Sequence, residues 1–287
     1  MYSIFEKIKS APAFFRQLSI DDQLVTQYDC PLPDKKTEIL STQNYFVYVI
    51  EGKKIWHVPG KSFELTEGKC IFVKKGAHIV EQFFETRFCN VFFFLSDEFI
   101  IETLSAQSSL KGDQQISSSC SVCAIDTDDV LQTFFSSVIP YFLNHHDANK
   151  ELLEIKFKEL VLNVISNPKN REVTKYFCSL LTDSHGERTR KIMEENFMYN
   201  LQLDEFARLC RRSLSAFKRD FRHYFNTTPG RWLLDRRLQH AQILVNTTDK
   251  SVSEIAYESG FENASHFSRA FRQKFGISPV RQRQETA

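Results

Sequence analysis

A chain of 287 residues that is 42% hydrophobic, with 27 phenylalanines, has the length for two domains and the apolar material to fill their cores. No run approaches the roughly 18 uninterrupted apolar residues of a membrane helix, and the opening "MYSIFEKIKSAPAFF" lacks a long apolar core before a cleavage site, so we expect a cytoplasmic protein without membrane contact. The net charge of +1 hides an asymmetry: residues 187–287 hold 18 Lys+Arg against 12 Asp+Glu and the remainder 19 against 24, the division expected when one domain meets phosphates and the other does not.

The first hundred residues read as strands. "YFVYVIEG", "KKIWHV", "KSFELTEGKCIFVKKGAHIVEQFF" and "TRFCNVFFFLS" are short, rich in Phe, Val, Ile and Tyr, and broken by Gly52, Pro59-Gly60, Gly68 and Gly76. This spacing predicts an antiparallel sandwich or a small barrel. The seven cysteines are scattered through a chain too large to depend on disulfide staples, so reduced thiols are expected. Cys120 and Cys123 have the C-x-x-C spacing but no second pair to complete a zinc site, which favours an ordinary loop or strand edge.

From Asp128 the period changes to three and four. Val130, Leu131, Phe134, Phe135, Val138, Ile139 and Phe142 predict one amphipathic helix, and Leu153, Phe157, Leu160, Val161 and Val164 a second, the two joined at "NHHDANK". Covering the sheet is the simpler use of their apolar faces; pairing with a second subunit is the other. The polar stretch "TDSHGERTR", residues 182–190, reads as a linker. Beyond it the pattern is helical. Leu233, Leu234, Leu238, Ala241 and Leu244 give "GRWLLDRRLQHAQILVNT" a buried stripe, with Arg231, Arg236 and Arg237 mostly off it.

The C-terminal third contains a repeat. "LDEFARLCRRSLSAFKRDFRHYFNTTP" and "SVSEIAYESGFENASHFSRAFRQKFGISP" align so that Phe217, Phe221 and Phe225 fall on Phe267, Phe271 and Phe275, and Thr228-Pro229 on Ser278-Pro279. Each copy has the grammar of a helix-turn-helix: a short helix with small residues, a tight turn, and a second helix apolar on one side. Gly260 supplies the positive φ that such a turn needs, whereas the first copy has Arg211, which predicts strain or a different turn shape. Leu214, Phe217 and Phe221 share the core face of the second helix. The opposite face shows Ser215, Lys218, Arg219 and Arg222. Its counterpart in the second copy shows Ser265, Ser268, Arg269 and Arg272, with Asn263 and His266 nearby. Small polar residues beside arginines suit a major-groove reader, because a guanidinium pairs bidentately with guanine while serine and asparagine adapt to several base edges. Other basic residues would serve phosphates. One such face could be an ordinary solvated surface, but two copies in register argue for double-stranded DNA. The middle helix could set the two readers one duplex turn apart, roughly 34 Å.

"SEIAYESGFENASHFSRAFRQKFGISP" resembles the C-terminal signature of the AraC family of bacterial transcription regulators, and "RRLQHAQILVNTTDKSVSEIA" resembles the linker helix before it. The resemblance covers about residues 187–283. It implies a seven-helix double helix-turn-helix domain, with Ser215, Lys218 and Arg219 in one reading helix and Ser265, His266 and Arg269 in the other as base contacts. Gln282 departs from the tyrosine usual there, which touches local packing only. In the front half, "EGKKIWHVPGKSFELTEGKCIFVKKGAHIV" resembles the cupin-like sensor half of the family. "EGKCIFVKKGAHIV" and the helical hairpin are most similar to the branch that activates type III secretion, whose sensor half answers to a partner protein instead of a sugar.

The resemblance therefore implies an α+β chain: a cupin-like β-barrel with a helical hairpin over residues 1–181, a linker over 182–190 that overlaps the next domain, and an all-α double helix-turn-helix domain over 187–287. It implies an activator that contacts RNA polymerase, pairs as a homodimer, and is controlled by a small-molecule effector or a regulatory protein. In one version the effector fills an apolar barrel lined by Phe46, Tyr48 and Phe72. In the other the barrel is plugged by its own aromatic side chains and a protein acts on the outside. No catalytic residue, metal or cofactor is expected. The rival reading is a metal-dependent cupin enzyme with a DNA-binding tail. It requires a cluster of His and carboxylate ligands, yet the front strands offer only His57 and His78, and Lys75 stands where such an enzyme usually has proline.

Overall fold

Tyr45, Val47 and Val49 point to one face of a strand and Phe46 and Tyr48 to the other, and that alternation organises the front half of the molecule. In the computed structural model, which describes residues 2–286 apart from 13, 30–31, 33, 85–86, 107–120 and 144–148, the chain divides into two units, Met1–Asp183 and Ser184–Ala287. The first is built on two sheets. Strands β1 (Tyr2–Ser3), β4 (Lys36–Ser41), β6 (Lys53–Val58), β7 (Lys61–Thr66) and β9 (Gly76–Gln82) form one, in the order β1-β4-β9-β6-β7. Strands β2 (Gln17–Ile20), β3 (Gln23–Tyr28), β5 (Asn44–Glu51), β8 (Cys70–Val73), β10 (Cys89–Leu95) and β11 (Val122–Ile125) form the other, in the order β11-β8-β5-β10-β3-β2. All pairings are antiparallel except β1 with β4.

The space between the sheets is filled by aromatic side chains. Phe5 from helix α1 (Ile4–Lys9), Phe15, Tyr28, Trp56, Phe92 and Phe94 are buried there. Each such ring contributes about 1.5–3 kcal/mol of burial. The helices α2 (Asp97–Ser105), α3 (Asp129–Leu143), α4 (Lys150–Ser166) and α5 (Arg171–Thr182) belong to a second core on the outer face of the six-stranded sheet. Phe46 and Phe72 sit in that core, with ring centroids 5.1 Å apart between Phe72 and Phe177, and Tyr48 stacks on Phe135 at 4.1 Å. This corrects the expectation that Phe46, Tyr48 and Phe72 line the barrel: the two-residue period of β5 and β8 turns them outward, under the helices. Leu131, Phe134, Phe135, Val138 and Phe142 of α3 pack as the sequence predicts, but Val130 is exposed.

Gly52 makes the corner at which the chain leaves one sheet for the other. Its φ is +86°, and a Cβ there would lie 2.1 Å from the Arg87 carbonyl oxygen, so no other residue fits without moving the backbone. The buried polar groups are tied in pairs. Neutral His78 accepts the Tyr45 hydroxyl at Nε2 over 2.5 Å, while Trp56 Nε1–H donates to the same oxygen at 3.3 Å. Burial pulls the His78 pKa down to about 4 and pushes that of Tyr45 up. His57, half-buried, joins Ser62 at 2.8 Å and Glu81 at 2.9 Å on the outer face of the five-stranded sheet. Cys123 is a buried residue of β11, and Cys120 lies outside the described residues.

The second unit is helical: α6 (His185–Asn196), α7 (Leu203–Leu209), α8 (Leu214–Phe225), α9 (Pro229–Thr247), α10 (Val252–Glu258), α11 (Ala264–Phe275) and α12 (Pro279–Thr286). Helix α6 begins inside the stretch expected as a linker. Its start is a capping box, in which the Ser184 hydroxyl accepts the Glu187 N–H and the Glu187 carboxylate accepts the Ser184 N–H, so only residues 183–184 separate α5 from α6. Along α9 the buried residues are Pro229, Leu233, Leu238, Ala241 and Val245, whereas Leu234 is exposed and Leu244 half-buried. Arg237 lies off the buried stripe but is half-buried: it donates from Nε to the Phe197 carbonyl at 2.7 Å and from Nη2 to that of Tyr199 at 2.8 Å, and burial lowers its pKa to about 10.

Candidate nucleic-acid interface

The two helix-turn-helix units are α7–α8 and α10–α11, and their cores repeat as the alignment requires. Phe217–Phe221 and Phe221–Phe225 ring centroids are 5.7 and 4.4 Å apart; Phe267–Phe271 and Phe271–Phe275 are 5.4 and 4.6 Å apart. The turns match as well. Arg211 has φ 54° and Gly260 φ 82°. The N–H of Arg212 reaches the Ala207 carbonyl at 2.9 Å, as that of Phe261 reaches Ala256 at 2.9 Å. The first turn is therefore not differently shaped: Arg211 is held in the left-handed region, which costs a residue with a Cβ about 1–2 kcal/mol.

Local chemistry fixes both α8 and α11 at their ends. Ser213 caps α8 by accepting the Ala216 N–H, and Asn263 caps α11 by accepting the N–H groups of Ser265 and His266. Left-handed Asn226 and Gly276 terminate them. With Phe217 and Phe221 buried on α8, the side chains of Ser215, Lys218, Arg219 and Arg222 are exposed together, although Leu214, expected in the core, is 37% exposed at the N-terminal turn. On α11, burial of Phe267 and Phe271 leaves Ser265, His266, Arg269 and Arg272 exposed. Ser268 is half-buried and its hydroxyl donates to the Ala264 carbonyl at 2.9 Å. Asn263 has its side-chain oxygen committed to the cap, which leaves only its amide nitrogen for another partner. Among the described residues, Lys218, Arg222, Arg269 and Arg272 make no side-chain hydrogen bond or ion pair within the protein, whereas Arg219 pairs with Asp220. Two parallel sets of uncommitted cations and hydroxyls, each on a rigid helix, can exchange water for phosphates and base edges at little desolvation cost.

Asp220 and its partner Arg212 were not legible as part of this face, since an acid between two basic residues reads as a charge-balancing surface residue. Gln282 fills the departure noted above: it is buried, and its amide donates to Asn246 Oδ1 at 2.9 Å.

Comparison with known proteins places this geometry. The helix-turn-helix domain model matches residues 206–285, and the ExsA N-terminal regulatory domain model matches residues 44–176. Thermoregulatory protein LcrF of Yersinia pestis is 24% identical over 246 residues, covering 84% of this chain and 89% of that protein. HTH-type transcriptional regulator ExsA of Pseudomonas aeruginosa is 30% identical over 139 residues, 48% of this chain and 50% of that one. Among solved structures, the DNA-binding domain of AdpA in complex with a target DNA is 29% identical and covers 36% of this chain and 93% of that one, with a TM-score of 0.34. Apo ToxT of Vibrio cholerae is 13% identical over 94% of this chain, with a TM-score of 0.45. The molecule is a DNA-binding transcription regulator with two helix-turn-helix units behind an N-terminal regulatory domain, and not an enzyme. In both of its domains the chain is similar to AraC-family transcription regulators. No helix among the described residues is long and apolar enough to cross a membrane.

Proposed function

We propose that α8 and α11 enter successive major grooves on one side of the duplex, one half-site meeting Ser215, Lys218, Arg219 and Arg222 and the other Ser265, His266, Arg269 and Arg272. The observation that carries this reading is the repeated solvent-facing arginine pair, Arg219 and Arg222 on α8 and Arg269 and Arg272 on α11, opposite faces buried in register. Asn263 and Ser268 shape α11 by capping and back-bonding, and Asn263 contributes at most its amide nitrogen to a base.

Residues 187–287 act as the reader and residues 1–181 as the receiver of the signal, in the cytoplasm. The protein is an activator that contacts RNA polymerase; the name "virulence regulon transcriptional activator" of the Yersinia enterocolitica relative VirF, 24% identical, supports this direction. The aromatic filling between the sheets favours a regulatory protein acting on the outer surface over a small molecule inside. Leu152 and Ile155, exposed three residues apart on α4, offer a second copy an apolar contact.

The test is DNase protection of a site enriched from random DNA, by the full chain and by residues 187–287, at two salt concentrations. Protection by both, weakening with salt, is the expected result. Protection that spans a single groove, or none, overturns the two-groove reading.

A further inference from the structure

Arg219 is held by its neighbour. Asp220 Oδ1 accepts the Nε–H and an Nη2–H of Arg219, each at 3.2 Å. The other carboxylate oxygen, Oδ2, lies 3.5 Å from Arg212 Nε, and Arg212 Nε also donates to His185 Nε2 at 3.2 Å. Asp220 is the shielded member of the pair, 22% exposed against 77% for Arg219. A chain of four side chains thus runs from the first residue of α6 to a guanidinium on the reading face. Among the described residues the second helix-turn-helix unit has no such device: Ala270 aligns with Asp220, and Arg269 makes no ion pair or side-chain hydrogen bond.

We propose that Asp220 is a positioning residue that orients Arg219 for guanine, so that the half-site under α8 is read more stringently than the one under α11. This rests on the assignment of Arg219 as a base contact. A guanidinium carries five N–H groups. The side-on grip of Asp220 takes the Nε–H and one Nη2–H. That leaves the Nη1 hydrogens and the outer Nη2–H, the end-on fork that fits O6 and N7 of guanine. An arginine already ordered by the protein loses less freedom on meeting its base than one that is free, and a carboxylate beside it repels the phosphates that would otherwise draw the guanidinium aside. Arg212 keeps the carboxylate turned toward Arg219 by holding its second oxygen.

The experiment measures equilibrium binding of the full chain to its enriched bipartite duplex and to every single-base change in both half-sites, for the wild type and for Asp220→Ala, Asp220→Asn, Arg219→Ala and Arg269→Ala. Asp220→Ala is expected to lower discrimination at the base position that Arg219→Ala also affects by about fivefold. Discrimination in the other half-site stays unchanged, which also shows that the domain is folded. Asp220→Asn, keeping one acceptor oxygen, retains part of the effect. The proposal is overturned if Asp220→Ala leaves discrimination intact or weakens all sequences equally. A flat response to Arg219→Ala would instead refute the base-contact assignment, and the role of Asp220 with it.

Discussion

The Nε of Arg237 lies 2.8 Å from the place a Cβ on Gly260 would occupy. The same Nε–H is spent on the Phe197 carbonyl, and the carbonyl oxygens of Phe197 and Met198 stand 2.8 and 2.9 Å from that empty position. The turn of the second helix-turn-helix unit therefore closes directly on the segment that leads into the first, with a half-buried arginine as the tie. Gly260→Ala should destabilise the DNA-binding domain by about 2–4 kcal/mol, combining left-handed strain with overpacking. Denaturant unfolding of the full chain checks this.

Arg211, at the equivalent turn, has the opposite expectation. Its φ of 54° is unfavourable for a residue with a Cβ. Arg211→Gly should stabilise by about 0.5 kcal/mol, the relief of strain being partly offset by the entropy of glycine. The same unfolding measurement reads the difference.

His78 makes the front domain sensitive to acid. Its pKa is lowered from 6.5 to about 4 in the folded state, first of all by burial. Above pH 6.5 both states are neutral at this residue and its contribution is complete. As the pH falls from 6.5 towards 4 the unfolded chain takes up the proton first, so stability drops, by about 3 kcal/mol in total. The pH dependence of unfolding should flatten across that window in His78→Phe, relative to the wild type.

Asn44 is the hub of a buried polar junction. It donates to Asp97 at 2.7 Å and accepts from the Lys75 N–H and the Tyr176 hydroxyl, each at 3.0 Å, while Lys75 Nζ reaches Asp97 at 2.7 Å. Asn44→Ala should cost about 3 kcal/mol, because it leaves several buried groups without their partner. Tyr176→Phe, which removes one hydroxyl at the edge of the junction, should cost about 1 kcal/mol. Calorimetry of the two variants distinguishes them.

What could be read in advance follows from how local each signal is. The phenylalanine triplets and the arginines of α8 and α11 repeat at fixed spacing, and spacing alone places them on opposite helix faces. The face of Phe46 and Phe72 was not legible, because β5 and β8 are buried on both sides and their apolar residues give no alternation to choose an inside. Strands β3 and β4 carry mixed sequences such as "KTEILS" whose partners β10 and β9 lie far along the chain. The start of α6 was legible in principle, since Ser184 and Glu187 have capping-box spacing, but the surrounding charge masked it. The anchoring of Arg237 was not legible because its partners are backbone carbonyls of another segment, which no periodicity reports.

Whether α8 and α11 read two half-sites is decided by base-by-base binding of Arg219→Ala and Arg269→Ala. Each variant is expected to lose about 1–3 kcal/mol of discrimination at one position, in different half-sites whose centres are about 10 base pairs apart, with binding elsewhere in the site unchanged. Loss at the same position in both variants, or a uniform weakening that only alters the salt dependence, would contradict it.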